Sequence, residues 1–409
     1  MIRFFVYSDL EPANDNNDPL VLDDTQLDWR RYESDPNINK SKYVAEALNN
    51  AFNLSVNGFD HVIGNCNSAP AWLKTNGAFN NPGAGTNNTL ITGGESEYSE
   101  FLVTFLNGMK SRYNIDVTAI SPTNEPDWFV TYESMNTTAE ETASIVINLK
   151  DRLNNSGLSN IKVLSPECFR ISSDNIDVSA TNHINRMFAV PGATNAVDVV
   201  ATHTYGNKNH DANWNALKTA ASGKPVWVTE SAALHSTDQS MTDAAHYIKW
   251  ILNGFNNGGL TAYMSHIFYE EEDAVNGYSS LVAWTSTGQI VLPKRYHTYK
   301  HFANLIKPGF KLIDSQIIQS DIVAGAFKSA DSKKVVLQVF NENATQNISI
   351  NIPTGTTSIT HYVTSDSTGQ DFSIMNDIAF NIGDRYASIN VPSMSLHSIV
   401  FNIDTTLLF

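Results

Sequence analysis

The stretch Ile120-Ser-Pro-Thr-Asn-Glu-Pro-Asp-Trp128 decides how this chain is read. An apolar, β-like run from Val117 to Ile120 stops at Ser121-Pro122 and delivers Asn124 and Glu125 into a proline-bounded turn, with Trp128 just beyond. That is how a carboxylic acid is placed at the end of a strand. A second carboxylate has a similar setting in Lys224-Pro-Val-Trp-Val-Thr-Glu230, a short β-rich run that ends on Glu230 before Ser231, Ala232 and Ala233. Either residue alone would read as a solvated surface charge. Two strand-end glutamates together point to paired-carboxylate chemistry on a sugar.

Working outward, the same strand pattern recurs along the chain. Ile2 to Tyr7, His61 to Cys66, Val117 to Ile120, Ile161 to Leu164, Val197 to Ala201, Val226 to Val228 and Leu260 to Phe268 read as strands. Helical spacing separates them. Val44, Ala47, Leu48 and Ala51 share one face, and Tyr98, Phe101, Leu102, Phe105, Leu106 and Met109 share another. Thr137-Thr-Ala-Glu140 reads as a capping box opening a helix to about Leu153; further helices are expected over Thr242 to Phe255 and Lys294 to Ile306. Seven strands alternating with helices predict an α/β fold, a TIM-type (β/α) barrel over residues 1–306. From Lys307-Pro-Gly309 the texture changes to short alternating runs, Lys334 to Phe340, Asn347 to Ile352, Ala387 to Val391 and Ser398 to Ile403. These predict a C-terminal antiparallel β-sandwich over residues 307–409.

Composition is consistent with that division. A chain of 409 residues suits a barrel of roughly 250 to 300 residues plus a module of about 100, and 42% apolar content supports a real core. A net charge of −16 argues against nucleic acid or an anionic membrane surface as partner, whereas a neutral polymer would not be repelled. No apolar run is long enough to span a bilayer, and Met1-Ile-Arg-Phe-Phe-Val6 lacks the basic start and long apolar stretch of a signal peptide. Two cysteines, Cys66 and Cys168, cannot build a disulfide framework and match no zinc spacing, so they read as buried thiols. No metal and no cofactor are expected. Asp9 to Asp28 forms an acidic, Asn-rich loop ending at Trp29, too polar for core and long enough to be functional.

Several segments, in order, resemble glycoside hydrolase family 30. They are Asn67-Ser-Ala-Pro-Ala-Trp-Leu-Lys-Thr-Asn76, Asn124-Glu-Pro-Asp-Trp128, Thr131-Tyr-Glu-Ser134, Trp227-Val-Thr-Glu230, and Lys294-Arg-Tyr296 through Lys307-Pro-Gly-Phe310. The resemblance implies a clan A barrel with an appended β-sandwich and a retaining endo-β-glycosidase. The substrate it implies is a plant-type polysaccharide, foremost β-1,4-xylan, with β-1,6-galactan or β-1,6-glucan as alternatives. A catalytically silent glycan-binding protein is the reading from a different class, against which the paired carboxylates argue. By the same resemblance Glu125 is the acid/base and Glu230 the nucleophile. Retention would place the two carboxyls about 5 to 5.5 Å apart, and such proximity would raise the pKa of one of them.

Substrate-binding candidates follow. Asn124 could hydrogen-bond the sugar 2-hydroxyl or simply cap its turn. Arg3 stands where the family has an arginine near the nucleophile, though a surface arginine would look the same. Trp72, Trp128 and Trp284 could stack on pyranose faces or fill the core. His203 and Tyr205 resemble the clan's His-x-Tyr, and a core histidine is the alternative. Tyr132 could line a subsite or pack at a helix entry. Glu167 also ends a strand and reads as a buried, hydrogen-bonded acid.

Some features depart from the family pattern. The tryptophan usual on the last barrel strand has no match in Tyr263-Met-Ser-His-Ile-Phe-Tyr269, where His266 or Phe268 would replace it. Glucuronoxylan-cleaving members hold a uronic acid with an arginine near the last strand, but this chain has Glu270-Glu-Glu-Asp273 there. Met1 sits directly on what resembles the family's second strand, so the first strand and helix are expected to be absent, either natively or because the chain is a fragment. The protein is expected to be secreted and monomeric, with a polysaccharide or oligosaccharide as its partner.

Overall fold

Apolar runs that are buried along their whole length need cover on both faces, which parallel strands with crossover helices supply. The computed structural model shows this arrangement and describes residues 1–32, 48–49, 51, 58–81, 88–172, 179–205, 212–232, 238–271, 280–314, 321–378, 381 and 383–407. Seven strands, β1 (Ile2–Val6), β2 (Val62–Cys66), β3 (Ala119–Ser121), β4 (Lys162–Cys168), β5 (Val199–His203), β6 (Val226–Glu230) and β7 (Leu260–Tyr263), form one sheet in chain order. The pairings run parallel, with Ile2 opposite Val62, Ile63 opposite Ala119, Ala119 opposite Lys162 and Leu164 opposite Val199. Every residue of β2, β3, β5 and β6 is buried.

Helices α1 (Glu95–Tyr113), α2 (Ala139–Asn155), α3 (Ala180–Ala189), α4 (Ala193–Ala196), α5 (Ala212–Ala220), α6 (Met241–Gly258) and α7 (Lys294–Ala303) lie between and after these strands. The face of α1 is the one its spacing predicts, with Tyr98, Phe101, Leu102, Phe105, Leu106 and Met109 all buried. The capping box of α2 lies one residue later than expected: Thr138 Oγ1 accepts from the Glu141 amide, and the Glu141 carboxylate accepts from the Thr138 amide. Thr137 instead pairs with Thr142 through their hydroxyls at 2.8 Å. Of the helix expected around Val44 to Ala51, Leu48 is buried, while Val44 and Ala47 lie outside the described residues.

The chain divides into two compact units, Met1–Asn207 with Asn215–Thr229, and Lys208–Trp214 with Glu230–Phe409. In the first, Trp29 stacks on Phe105 with ring centroids 5.7 Å apart, and Tyr32 meets both rings. Gly108 of α1 makes room for this, because a Cβ there would lie 2.1 Å from Trp29 Cζ2. Gly108→Ala is therefore expected to destabilise the protein by about 1–3 kcal/mol, although alanine is the better helix former by about 1 kcal/mol. A thermal melt showing a stabilised variant would contradict this packing.

The second unit holds a small sheet of β8 (Tyr269–Glu271), β9 (Val282–Trp284) and β10 (Ile290–Val291). Its β-sandwich pairs a six-stranded antiparallel sheet with a two-stranded one. The larger contains β11 (Lys311–Ile313), β12 (Ile322–Lys328), β13 (Lys334–Asn341), β15 (Thr356–Ser365), β16 (Asp371–Met375) and β18 (Ser395–Ile403); the smaller contains β14 (Gln346–Asn351) and β17 (Tyr386–Val391). Ile322, Val339 and Phe401 from one sheet pack in a single core with Ile348, Ile389 and Val391 from the other. Sequence alternation locates β13, β14, β17 and β18 but not β11, β12, β15 or β16. Inward positions of β15 carry polar groups, His361 bonding His397 at 2.8 Å and Thr364 bonding His301 at 2.9 Å, so the apolar alternation is hidden. β7 ends at Tyr263, short of the expected Phe268, and Phe268 is exposed. Cys66 and Cys168 are buried and free. Among the described residues no helix is long and apolar enough to cross a membrane.

Candidate active site

The turn after β3 is sewn to the end of β4. Ser121 Oγ donates to Glu167 Oε1 at 2.5 Å, Thr123 Oγ1 donates to the Pro166 carbonyl at 3.0 Å, and the Glu125 amide donates to the Glu167 carbonyl at 2.8 Å. From the other side the Phe169 amide donates to Asp127 Oδ1 at 2.9 Å; burial pushes Asp127 up to about 6. Held this way, Glu125 takes a left-handed backbone with φ +47°, and Glu167 one with φ +63°. Non-glycine residues in that region cost of order 1–3 kcal/mol each and cluster where function needs a fixed side chain.

Glu125 is 5% exposed. One of its carboxylate oxygens lies 3.0 Å from His203 Nδ1, and the other accepts from the Tyr132 hydroxyl at 3.2 Å. His203, the last residue of β5, is fully buried, and its Nε2 lies 3.3 Å from Glu167 Oε2. The imidazole thus stands between two carboxylates. Glu167 also accepts from the Thr229 hydroxyl, and Arg3 Nη2 lies 3.9 Å away. Burial alone would raise the Glu167 carboxyl, but Arg3, His203 and the Ser121 hydroxyl together hold it below the usual carboxylate range. Asn124 Oδ1 accepts from Arg3 Nη2 at 2.8 Å and from Asn65 Nδ2 at 3.3 Å, which orients the amide.

The first unit therefore gathers Arg3 with Asn124, and Glu125 with Tyr132 and His203, into hydrogen-bonded groups that meet at the Glu167 carboxylate. Tyr205 joins edge-on to His203 at 5.5 Å. Trp128 stacks on Phe169 at 4.3 Å with Arg170 beside both rings, and Phe169 stacks on Tyr205 in turn. Trp72 is half-buried against the main core, a different setting. Two of the sequence candidates belong to the second unit. Glu230, the residue directly after Thr229, ends β6 and is 5% exposed, and Trp284 on β9 is half exposed. In that unit the His266 amide donates to the Ser231 carbonyl at 3.0 Å.

Sequence reading identified Glu167 as a buried, hydrogen-bonded acid but missed that it shares His203 with Glu125. Its position at the end of Ser165-Pro-Glu167, matching the strand-end setting of Glu125, was the available signal. Asn65, Asp127 and Phe169 carried none, because a buried Asn, Asp or Phe beside a strand end is ordinary.

The sequence model of "Glycosyl hydrolase family 59" matches residues 61–289, more than half of the chain. Glucuronoxylanase XynC of Bacillus subtilis is 24% identical over 312 residues, covering 74% of this chain and 65% of that protein, so the chain spans just under two thirds of that relative's length. Among solved structures, the family 30 subfamily 8 xylanase Xyn30A from Clostridium acetobutylicum aligns with TM-score 0.70 and 21% identity, covering 98% of this chain and 88% of that one. An endo-β-1,6-glucanase aligns with TM-score 0.69 and 18% identity over 93% and 78% of the two chains. The chain belongs to glycosyl hydrolase family 59, and it has the barrel-and-sandwich fold of the family 30 endo-xylanases that its sequence resembles.

Proposed function

We propose that this protein is a retaining endo-β-glycosidase acting on plant-type polysaccharide, foremost β-1,4-xylan, with Glu125 as acid/base and Glu230 as nucleophile. The observation that carries this reading is the left-handed, strand-end Glu125, whose carboxylate is fixed by His203 and Tyr132. Glu230, ionised, attacks the anomeric carbon while Glu125 gives its proton to the departing oxygen. Glu125 then takes a proton from the water that releases the sugar from Glu230. His203 turns Nε2 toward Glu167 and Nδ1 toward Glu125, so one imidazole couples the two carboxyls and holds Glu125 in place for its role. Asn124, with its oxygen committed to Arg3 and Asn65, can turn its amide nitrogen to the sugar 2-hydroxyl. Tyr205 and the Trp128–Phe169 stack form an aromatic wall for pyranose rings, with Trp72, Tyr132 and Trp284 as further binding candidates. Residues 1–306 would be the catalytic domain, residues 307–409 a side domain, and the working protein a secreted monomer.

The test is a reducing-sugar assay on xylan, β-1,6-galactan and β-1,6-glucan. Turnover of xylan at least about tenfold faster than the others is expected, a margin one lost pocket contact can produce. The structural similarity to an endo-β-1,6-glucanase supports a second reading, that a β-1,6-linked glucan is the substrate, and faster turnover of that polymer would decide for it. Binding without hydrolysis of any of the three would mark a silent glycan-binding protein.

Uronate decoration should not be required. The relative is named a glucuronoxylanase, but the acidic segment Glu270 to Asp273 would repel a uronic acid; Glu272 and Asp273 lie outside the described residues. Undecorated arabinoxylan is expected to be cut at least as fast as glucuronoxylan, since the acidic segment disfavours the uronate. Products ending at a fixed distance from each glucuronic acid would refute this.

A further inference from the structure

The acidic loop after β1 takes no part in the site described above. It brings Glu11 and Asp15 against Glu100 of α1, and one carboxylate oxygen from each lies within 4.8 Å of the other two. Glu11 and Glu100 are each 2% exposed, and Asp15 is half-buried. Glu100 is anchored by the Thr104 hydroxyl. Both carboxylate oxygens of Glu11 are buried and meet no donor in good hydrogen-bond geometry, although the Asp15 backbone amide favours the charged form, and Asp15 Oδ2 is likewise buried and unbonded. Among the described residues no lysine or arginine forms an ion pair with any of the three; Arg152 influences Glu100 only from a distance.

Three carboxylates this close cannot all ionise without a counter-charge. Burial first, and then mutual repulsion, pushes Glu11 up to about 8; burial raises Glu100 to about 7. We propose that Glu11, Asp15 and Glu100 bind one calcium ion, with Glu11 free to chelate through both oxygens. Calcium accepts irregular sets of oxygen ligands at about 2.3–2.6 Å, so three carboxylate oxygens that all lie within 4.8 Å of one another can reach a single ion. Magnesium demands a smaller, near-octahedral shell and fits this set less well. The ion would tie the loop to α1 and neutralise the buried charge. This inference is independent of the glycosidase reading.

The experiment uses the full chain, stripped with chelator and melted at pH 8 with calcium chloride or with sodium chloride of equal ionic strength. Calcium at about a hundredfold excess over its dissociation constant is expected to raise Tm by about 5 °C or more, and calorimetric titration should give one site. Glu11→Gln should weaken calcium binding at least about tenfold, the loss of one charged ligand. It should also raise the Tm of the ion-free protein, because it removes a buried repulsion. If Glu11→Gln does not fold, Asp15→Asn serves in its place. Without the ion, raised carboxyl pKa values make the cluster cost stability as pH rises from about 4.5 to about 8, a dependence calcium should remove. A calcium response no larger than that to sodium, or one that persists in both variants, would overturn the assignment; the first result would mean that protons alone settle the cluster.

Discussion

Glu230→Gln is expected to abolish hydrolysis of natural polymer and of activated aryl glycosides alike, whereas Glu125→Gln should separate the two. An amide at position 230 cannot form or release a glycosyl ester, so a better leaving group cannot rescue the variant. An amide at position 125 lacks only the transferable proton. Its loss should cost on the order of 10²–10⁴-fold on polymer, while an aryl glycoside whose leaving group departs unprotonated should still give a burst of its first step. Both variants should melt within a few degrees of the parent, since glutamine keeps the size of the side chain. For Glu125→Gln the contact with His203 Nδ1, now 3.0 Å, can also be kept by the amide nitrogen. Near-parental turnover of polymer by either variant would remove that residue from its assigned role, and burst kinetics in Glu230→Gln would reassign the nucleophile.

Replacing Arg3 with methionine is expected to lower stability near neutral pH by about 3 kcal/mol, at the lower end of what breaking a buried ion pair costs. Arg3 is 7% and Glu167 0% exposed at the side chain, and the two lie 3.9 Å apart. Without the guanidinium, Glu167 keeps Ser121, Thr229 and His203 but loses its permanent positive neighbour. The sign of the pH dependence should change as well. In the parent, the Glu167 pKa is depressed, so its contribution is present above the unfolded value near 4.5 and fades as pH falls through the folded value. In Arg3→Met, burial dominates, the pKa rises, and stability should instead fall as pH increases past about 4.5. Urea unfolding at pH 5 and pH 7.5 measures both effects; equal stability of parent and variant at pH 7.5 would show that Arg3 does not sustain the Glu167 charge. Arg3 also holds Asn124, so substrate affinity should weaken in parallel.

Local sequence determined a good deal of this protein. Apolar runs ending on Glu125 and Glu230, the helical face from Tyr98 to Met109, and the change of texture at Lys307 are short-range patterns, and period and composition suffice to read them. They announce a seven-stranded α/β region, an antiparallel sandwich and two strand-end carboxylates. Polar inward residues such as His361 and Thr364 blurred the same patterns in the sandwich, so β15 was missed. Only the tertiary structure decided who meets whom. His203 reaches Glu125 across 78 positions, Thr229 reaches Glu167 across 62, and Arg3 reaches Asn124 across 121. Glu11 and Glu100 converge with Asp15 although no local spacing relates the loop to α1. Periodicity reports which face of an element is buried, but a parallel sheet sets the register between strand ends that are far apart in the chain and so gathers Glu125, His203 and Glu167, while the path of the loop after β1 along α1 gathers Glu11, Asp15 and Glu100.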